Sequence, residues 1–318
     1  GRLYELNEEP RAAANLLDAL LMRDREPRTA EVNRLLRKVA ELEEPVLPTV
    51  MLRCRAQAFL GNDDQADRLA LEGYRAAESQ LDYARWFEWV VDRYEGDQQE
   101  ALAFLDSSSA ALGELPAFLR LLRLRYEFID GREPATVLDR LASLEEACAV
   151  SPFTRLEYHR MRNQVAYAAG DYEQVVAACR AGLEVSPGDL ELNNNLAYTL
   201  AKHLGDAESA LPHAQAAEAA APLNAPVLDT LGWIYLELDR VREAERVLTR
   251  AESVVGSADE RVPVSVHLGM AKLRRGETGE ARRYLRLAEG ALSEASETIR
   301  SQYASEVESL SRELAGAE

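Results

Sequence analysis

The feature that most limits the folds open to this chain is a turn that recurs at a nearly constant interval. A glycine is followed five residues on by a small residue in "GNDDQA" (Gly61, Ala66), "GDQQEA" (Gly96, Ala101) and "GDAESA" (Gly205, Ala210). The same frame appears in "GDYEQV" (Gly170, Val175), in "GETGEA" (Gly276, Ala281) and, with aspartate in the glycine's place, in "DRVREA" (Asp239, Ala244). Gly131, ahead of "REPAT", completes the series, and the steps between turns are 35, 35, 39, 35, 34 and 37 residues. Such a period marks an array of like units, each burying its apolar face only against a neighbour.

The unit length suits two helices of about four turns and two tight turns. Glycine ends the first helix because it reaches left-handed backbone angles without strain. The aspartate that often follows can cap the second helix by accepting its free amide hydrogens. A small residue early in that helix lets the two backbones approach, and apolar residues at i, i+4 and i+7 fill the seam. Pro187 and Pro222 then stop the second helix. Alanine, leucine, glutamate and arginine dominate the composition and favour helix. No run of valine, isoleucine and threonine alternates with polar residues, so a sheet is not expected. With 47% hydrophobic residues, 17 glycines and 12 prolines, the chain is neither disordered nor fibrous in composition.

The stretch "LDTLGWIYLELDRVREAERVLTRA" (228–251) carries the unit most fully: Leu231-Gly232, Tyr235, Ala244, Leu248 and Ala251, with Gly256 where a proline would end it. This pattern resembles the 34-residue unit of the tetratricopeptide repeat (TPR) family. The preceding unit reads Leu196-Ala197, Leu200, Ala210, Ala214, Ala217 and Pro222, with one residue inserted in its turn. The following unit reads Leu268-Gly269, Ala281, Leu285 and Ala288, and a looser one holds Asn163, Ala166, Val175, Cys179, Gly182 and Pro187. The resemblance implies an all-α, right-handed TPR-like α-solenoid of seven or eight hairpins with a C-terminal capping helix. Its parts are residues 1–151, degenerate TPR-like hairpins; 152–293, well-matched repeats; and 294–318, a capping helix polar on most faces; together they are expected to form one continuous solenoid. Helices over about 10–22 and 28–43 offer no comparable cap. The chain begins at Gly1 without a methionine and is expected to be a piece of something longer. Glycine at position 232 is read as close helix packing and not as catalysis.

Charge and motif content narrow the function. The net charge is −18, which disfavours nucleic acid as a partner. The most basic stretch, "LRLLRLRYE" (119–127), interleaves arginine with leucine as an amphipathic helix does. Cys54, Cys148 and Cys179 lack the spacing of a disulfide framework or zinc site and are expected to be buried apolar residues. His159, His203, His213 and His267 are not paired at metal-ligand spacing. No phosphate loop, Ser-His-Asp motif or nucleophile elbow is present. No apolar run approaches the ~20 residues of a membrane span. The expectation is therefore a chain that is not an enzyme, takes no cofactor and does not insert into a membrane.

In the TPR family the first helices of successive units line a concave groove. Carried over position by position, the groove receives Arg160, Met161, Gln164 and Tyr167 from one repeat, and Asn194, Asn195, Tyr198 and Lys202 from the next. The third supplies Asp229, Thr230, Trp233 and Glu237, and the fourth Val266, His267, Met270 and Arg274. Asparagine can hold an extended backbone through its donor and acceptor. Tyrosine and tryptophan give rigid contact area, and the charged members can set register. On this reading Trp233, Tyr198 and Asn195 form one accessible surface. The competing reading is that these side chains serve only the packing of neighbouring helices. The carboxylate clamp of chaperone-binding members is not expected. Arg160, Gln164 and Asn195 stand at matching places, but Pro226 and Thr230 stand where a lysine and an arginine are required. A second aromatic group, Tyr83, Trp86, Phe87, Val90 and Tyr94, shares one helical face and is read as the core of a degenerate repeat, with an exposed partner patch as the alternative; Trp89 lies off the stripe.

The function implied is a non-catalytic scaffold or adaptor holding a protein segment or partner helix in the groove. The alternative is a regulatory, sensor or accessory module of a longer protein. The blocks "NNLAYTLA" and "DTLGWIY" resemble those of bacterial TPR proteins, of the cytoplasm or of the periplasmic side of the envelope.

Overall fold

A computed structural model describes residues 10–23, 29–42, 47–77, 79–94, 97–112 and 115–316. Among the described residues there are eighteen helices and no strand. The chain divides into two compact units, Gly1–Arg155 and Leu156–Glu318. Helices joined by tight turns recur along both, so the all-α repeat fold read from the period is the fold observed.

The first unit pairs α1 (Pro10–Arg23) with α2 (Thr29–Val39) and α3 (Leu47–Phe59) with α4 (Asp63–Ala76). After these come α5 (Gln80–Arg93), α6 (Gln98–Leu112) and α7 (Ala117–Ile129). Where the period stretches to 39 residues, the second helix of the unit is broken. It becomes α8 (Pro134–Ala142) and a single turn, α9 (Glu145–Cys148). The aromatic stripe is core here: Trp86 is fully buried, donates Nε1–H to the Ala70 carbonyl at 2.6 Å and meets Phe118 edge-on. Val90 and Tyr94 are buried with it, and Trp89 is partly buried against the same cluster. The side chains of Tyr83 and Phe87, and the turn glycine Gly96, lie outside the described residues. Glu127 is buried and held by Arg123 of the basic stretch together with Arg132 and Arg140, which lie beyond it.

α10 (Pro152–Ala169) leads into the second unit, which continues with α11 (Tyr172–Val185), α12 (Leu190–Lys202), α13 (Ala207–Ala220), α14 (Ala225–Glu237) and α15 (Val241–Val254). It closes with α16 (Ala258–Arg274), α17 (Thr278–Glu294) and α18 (Glu297–Gly316). The turns behave as their residues dictate. Gly170, Gly205 and Gly276 hold φ near +70°. Asp239 takes the same left-handed conformation at φ 55°, at a conformational cost that glycine would avoid. Asp171 and Asp206 accept the amides of Gln174 and Ser209 at 3.0 Å, as the capping reading requires. At Arg240 and Glu277 no side chain caps the helix.

Gly232 of α14 shows why the seam needs a residue without a side chain. A Cβ there would lie 2.4 Å from Cγ of Leu248 on α15. Leu231, Leu248, Ala244 and Ala251 are all buried around it. Each fully buried leucine of such a seam is worth roughly 1.5–3 kcal/mol of transfer free energy. The three cysteines are buried thiols, as expected. Burial pushes Cys148 up to about 11 and Cys179 up to about 12, which leaves both protonated near neutrality.

Candidate partner-binding face

The first helices of the second unit, α10, α12, α14 and α16, bring their predicted residues to one face. Side chains link each helix to the next. Asn195 on α12 donates Nδ2–H to Oδ1 of Asn163 on α10 at 2.9 Å, and Asn163 donates to the Cys179 sulfur at 2.9 Å. Tyr198 on α12 lies 6.0 Å from Trp233 on α14, ring centre to ring centre. Trp233 lies 6.2 Å from His267 on α16. Lys202 sets its ammonium 5.3 Å from the Trp233 ring centre, a cation–π contact. His267 donates Nδ1–H to Oδ1 of Asp229 at 2.8 Å, with both residues buried.

The face is not an open groove. Trp233 is only 8% exposed, and Asp229, Thr230 and His267 are buried. The expectation of one accessible surface through Trp233, Tyr198 and Asn195 is therefore corrected. Side chains of the neighbouring helices crowd the Trp233 ring, and a further segment lies over part of the same face. α18 lies against this face, and its Gln302 donates Nε2–H to the Tyr198 hydroxyl at 2.6 Å. Its Glu306 pairs with Lys202 and places its other carboxylate oxygen 4.0 Å from Nε2 of His267. The Tyr303 ring meets His267 edge-on at 6.2 Å. Burial, then the charge of Asp229, raises the Tyr303 hydroxyl well above the usual tyrosine range. Tyr198 is raised for the same first reason.

Several predicted residues are committed to the chain's own structure. Arg160 pairs with Asp189 and Glu157, which leaves it a strut between α10 and the start of α12. Thr230 donates its hydroxyl to the Pro226 carbonyl one turn back at 3.0 Å, so the two positions that lack clamp cations bind each other. Arg274 donates to the Leu236 carbonyl. Met161 and Val266 are buried, and Met270 is half-buried in the cluster beneath α18. Gln164, Tyr167, Glu237 and Arg274 are the predicted residues that stay exposed, with Tyr167 at 41%. Asn194 is half-buried, and its Oδ1 is buried without a hydrogen-bond partner.

The other histidines are absorbed by packing. His203 stacks on Tyr172 at 3.6 Å, and His213 contacts Oδ1 of Asn193 through Nδ1 at 3.0 Å. Burial lowers the pKa of both from 6.5. Among the described residues no group of three histidine, cysteine or carboxylate side chains is placed to hold a metal ion. No described helix is long and apolar enough to cross a membrane. Sequence reasoning missed Gln302, Tyr303 and Glu306. Their signal was present in the stripe Tyr303, Val307, Leu310, Leu314, whose spacing of four, three and four is that of a helix with a partner.

No family model and no curated protein matches the chain. Solved structures similar to it include residues 41 to the end of MamA from Desulfovibrio magneticus RS-1, at 20% identity and a TM-score of 0.48 over 57% of this chain and 98% of that one. YrrB, a TPR protein with an unusual peptide-binding site, is 14% identical, with a TM-score of 0.47 over 63% of this chain and 97% of that one. PilW, a type IV pilus biogenesis factor, is 14% identical, with a TM-score of 0.46 over 63% of this chain and 88% of that one. These are likenesses of fold.

Proposed function

We propose that this chain is a non-catalytic interaction scaffold that holds a peptide or a partner helix on the face formed by α10, α12, α14 and α16. The observation that carries this reading is the chemistry gathered there. Successive first helices contribute asparagine, tyrosine, lysine, aspartate, tryptophan and histidine to one surface, and that surface already holds a helix, α18. A seam that served packing alone would be filled by alanine and leucine, as the seam between first and second helices is.

The exposed margin of the face, with Gln164, Tyr167, Glu237 and Arg274, is the part a partner reaches first. The test is affinity capture from the native cell lysate, with wild type beside the Tyr167→Ala/Glu237→Arg variant. Both substitutions fall at exposed positions, so unchanged helicity is expected. Loss of a captured protein, about tenfold or more, supports the reading, since hot-spot truncations cost about 1–3 kcal/mol. Recovery of the same proteins at the same level by both would refute it.

A further inference from the structure

α18 does more than close the end of the array. Its apolar stripe seals the last repeat: Val307, Leu310 and Leu314 pack with Val266, Ala281 and Ala288. Leu310 also stands where a Cβ on Gly269 would come within 2.6 Å. A cap needs no more than this. Yet α18 also places Gln302, Tyr303 and Glu306 against polar and aromatic groups of neighbouring helices: Tyr198 and Lys202 of α12 and His267 of α16, with the Asp229 carboxylate of α14 close enough to act on the Tyr303 hydroxyl. Lys202 pairs with Glu306 across 104 residues of sequence. On α18 itself only Tyr303, Val307, Leu310 and Leu314 are buried, and a two-residue link, Ala295-Ser296, joins it to α17.

We infer that α18 is a built-in occupant of the binding face, and that the partner is a helix of another protein carrying α18's own register. That register is an aromatic ring, a carboxylate three residues on, and apolar residues four, seven and eleven residues on. The partner helix binds by taking the place of α18. Its carboxylate meets Lys202, its ring enters beside His267, and its apolar stripe covers Val266 and Gly269 again, so exchange leaves no apolar seam bare. This inference rests on the scaffold reading above and names the partner class for the same face.

The test uses the full chain and, as probe, a fluorescein-labelled synthetic peptide of the α18 sequence, residues 297–316. In the chain, Glu306→Lys sets like charges against each other at Lys202 and raises the population with the face free. Peptide affinity should rise about tenfold over wild type, because apparent affinity scales with the competent fraction. Adding Lys202→Glu to that chain re-forms the pair with its charges exchanged, so α18 should close the face again and peptide binding should fall back. Lys202→Glu alone repels the chain's own Glu306, and it should bind a peptide with lysine in place of the Glu306 equivalent in preference to the wild-type peptide. If Glu306→Lys disturbs folding by circular dichroism, Glu306→Gln replaces it, and hydrogen exchange of the α18 amides ahead of α16 and α17 is then the expected result. The inference is overturned if neither chain binds the peptide and the α18 amides stay protected as long as those of α17. It is also overturned, in favour of exchange between two copies, if Glu306→Lys yields a concentration-dependent dimer that the peptide does not dissociate. The scaffold reading fails separately: it falls on the lysate comparison, which involves neither α18 nor the peptide. A partner that the wild type captures and excess peptide does not compete would leave that reading standing and sink this one.

Discussion

Replacing one glycine by alanine should have opposite effects at two positions of the second unit. At Gly232 the new Cβ would sit 2.4 Å from Cγ and 2.6 Å from Cδ2 of Leu248. Leu248 is fully buried, so it has no free space into which to swing. Overpacking of this kind costs about 1–3 kcal/mol, and the better helix propensity of alanine returns up to about 1 kcal/mol. The clash is with the branch atom Cγ and not with a flexible tip, which puts the cost at about 2–3 kcal/mol, so the net expectation for Gly232→Ala is a loss of about 1–2 kcal/mol. Gly290 lies exposed within α17, with nothing within 4 Å of its would-be Cβ. There only the propensity gain operates, and Gly290→Ala should add about 0.5–1 kcal/mol. At about 2–4 °C per kcal/mol for a unit of this size, thermal unfolding followed at 222 nm separates the two. The Tm should fall by about 2–8 °C for the first variant and rise by about 1–4 °C for the second. Leu248→Ala in the Gly232→Ala background should cost less than it does in the wild type, where about 2–5 kcal/mol is expected, because the added methyl group partly fills the cavity. A Gly232→Ala protein as stable as wild type would refute the close-packing account of the seam.

Trp233→Ala should lower stability by about 3–5 kcal/mol, the range for a large buried ring; a Tm within 2 °C or so of wild type would show that the ring is not part of the packed face. For pH, His203 and His213 are held below 6.5 in the folded chain mainly by burial, with Lys202 and Arg180 adding to it. The unfolded chain therefore binds protons first, so stability is full above about pH 6.5 and is lost as pH falls through the lowered folded values. His213→Gln, which can still reach Asn193, should make the fall in Tm between pH 7.5 and 5.5 shallower. Equal slopes for wild type and variant would exclude the histidine as a source.

The period made the hairpins legible because each turn is decided locally. A residue tolerant of positive φ and a small residue five positions later suffice, and even Asp239 obeys. Position within a unit also determines which face a side chain joins, and Tyr198, Trp233 and His267 do lie in one row. What could not be read locally was accessibility. Trp233 is buried because Tyr198, Lys202 and His267 come from neighbouring helices and α18 lies over part of the same face. Lys202 finds its carboxylate at Glu306, far along the chain. The polarity of residues 294–316 suggested a helix facing water on most sides, and α18 is indeed mostly exposed. Its one narrow stripe, with Gln302 and Glu306 at its margin, was too small a fraction of the segment to stand out. Arg160 and Thr230 differ for another reason: Arg160 pairs with Glu157 and Asp189, and Thr230 donates to the Pro226 carbonyl, so local partners compete with any outside ligand.

The row of rings across the first helices of the second unit bears on how the molecule can be observed. The chain has three tryptophans, and two of them, Trp86 and Trp89, belong to the first unit. Trp233 is therefore the sole indole of the second unit. It sits between Tyr198 and His267, with the Lys202 ammonium near its ring. An indole's emission responds to the charges and rings around it, and these are its neighbours here. A chain in which Trp86 and Trp89 are replaced by phenylalanine would carry a single emitter, one imidazole away from Tyr303. The colour and intensity of its light would then report on the surroundings of that one ring, with no label attached.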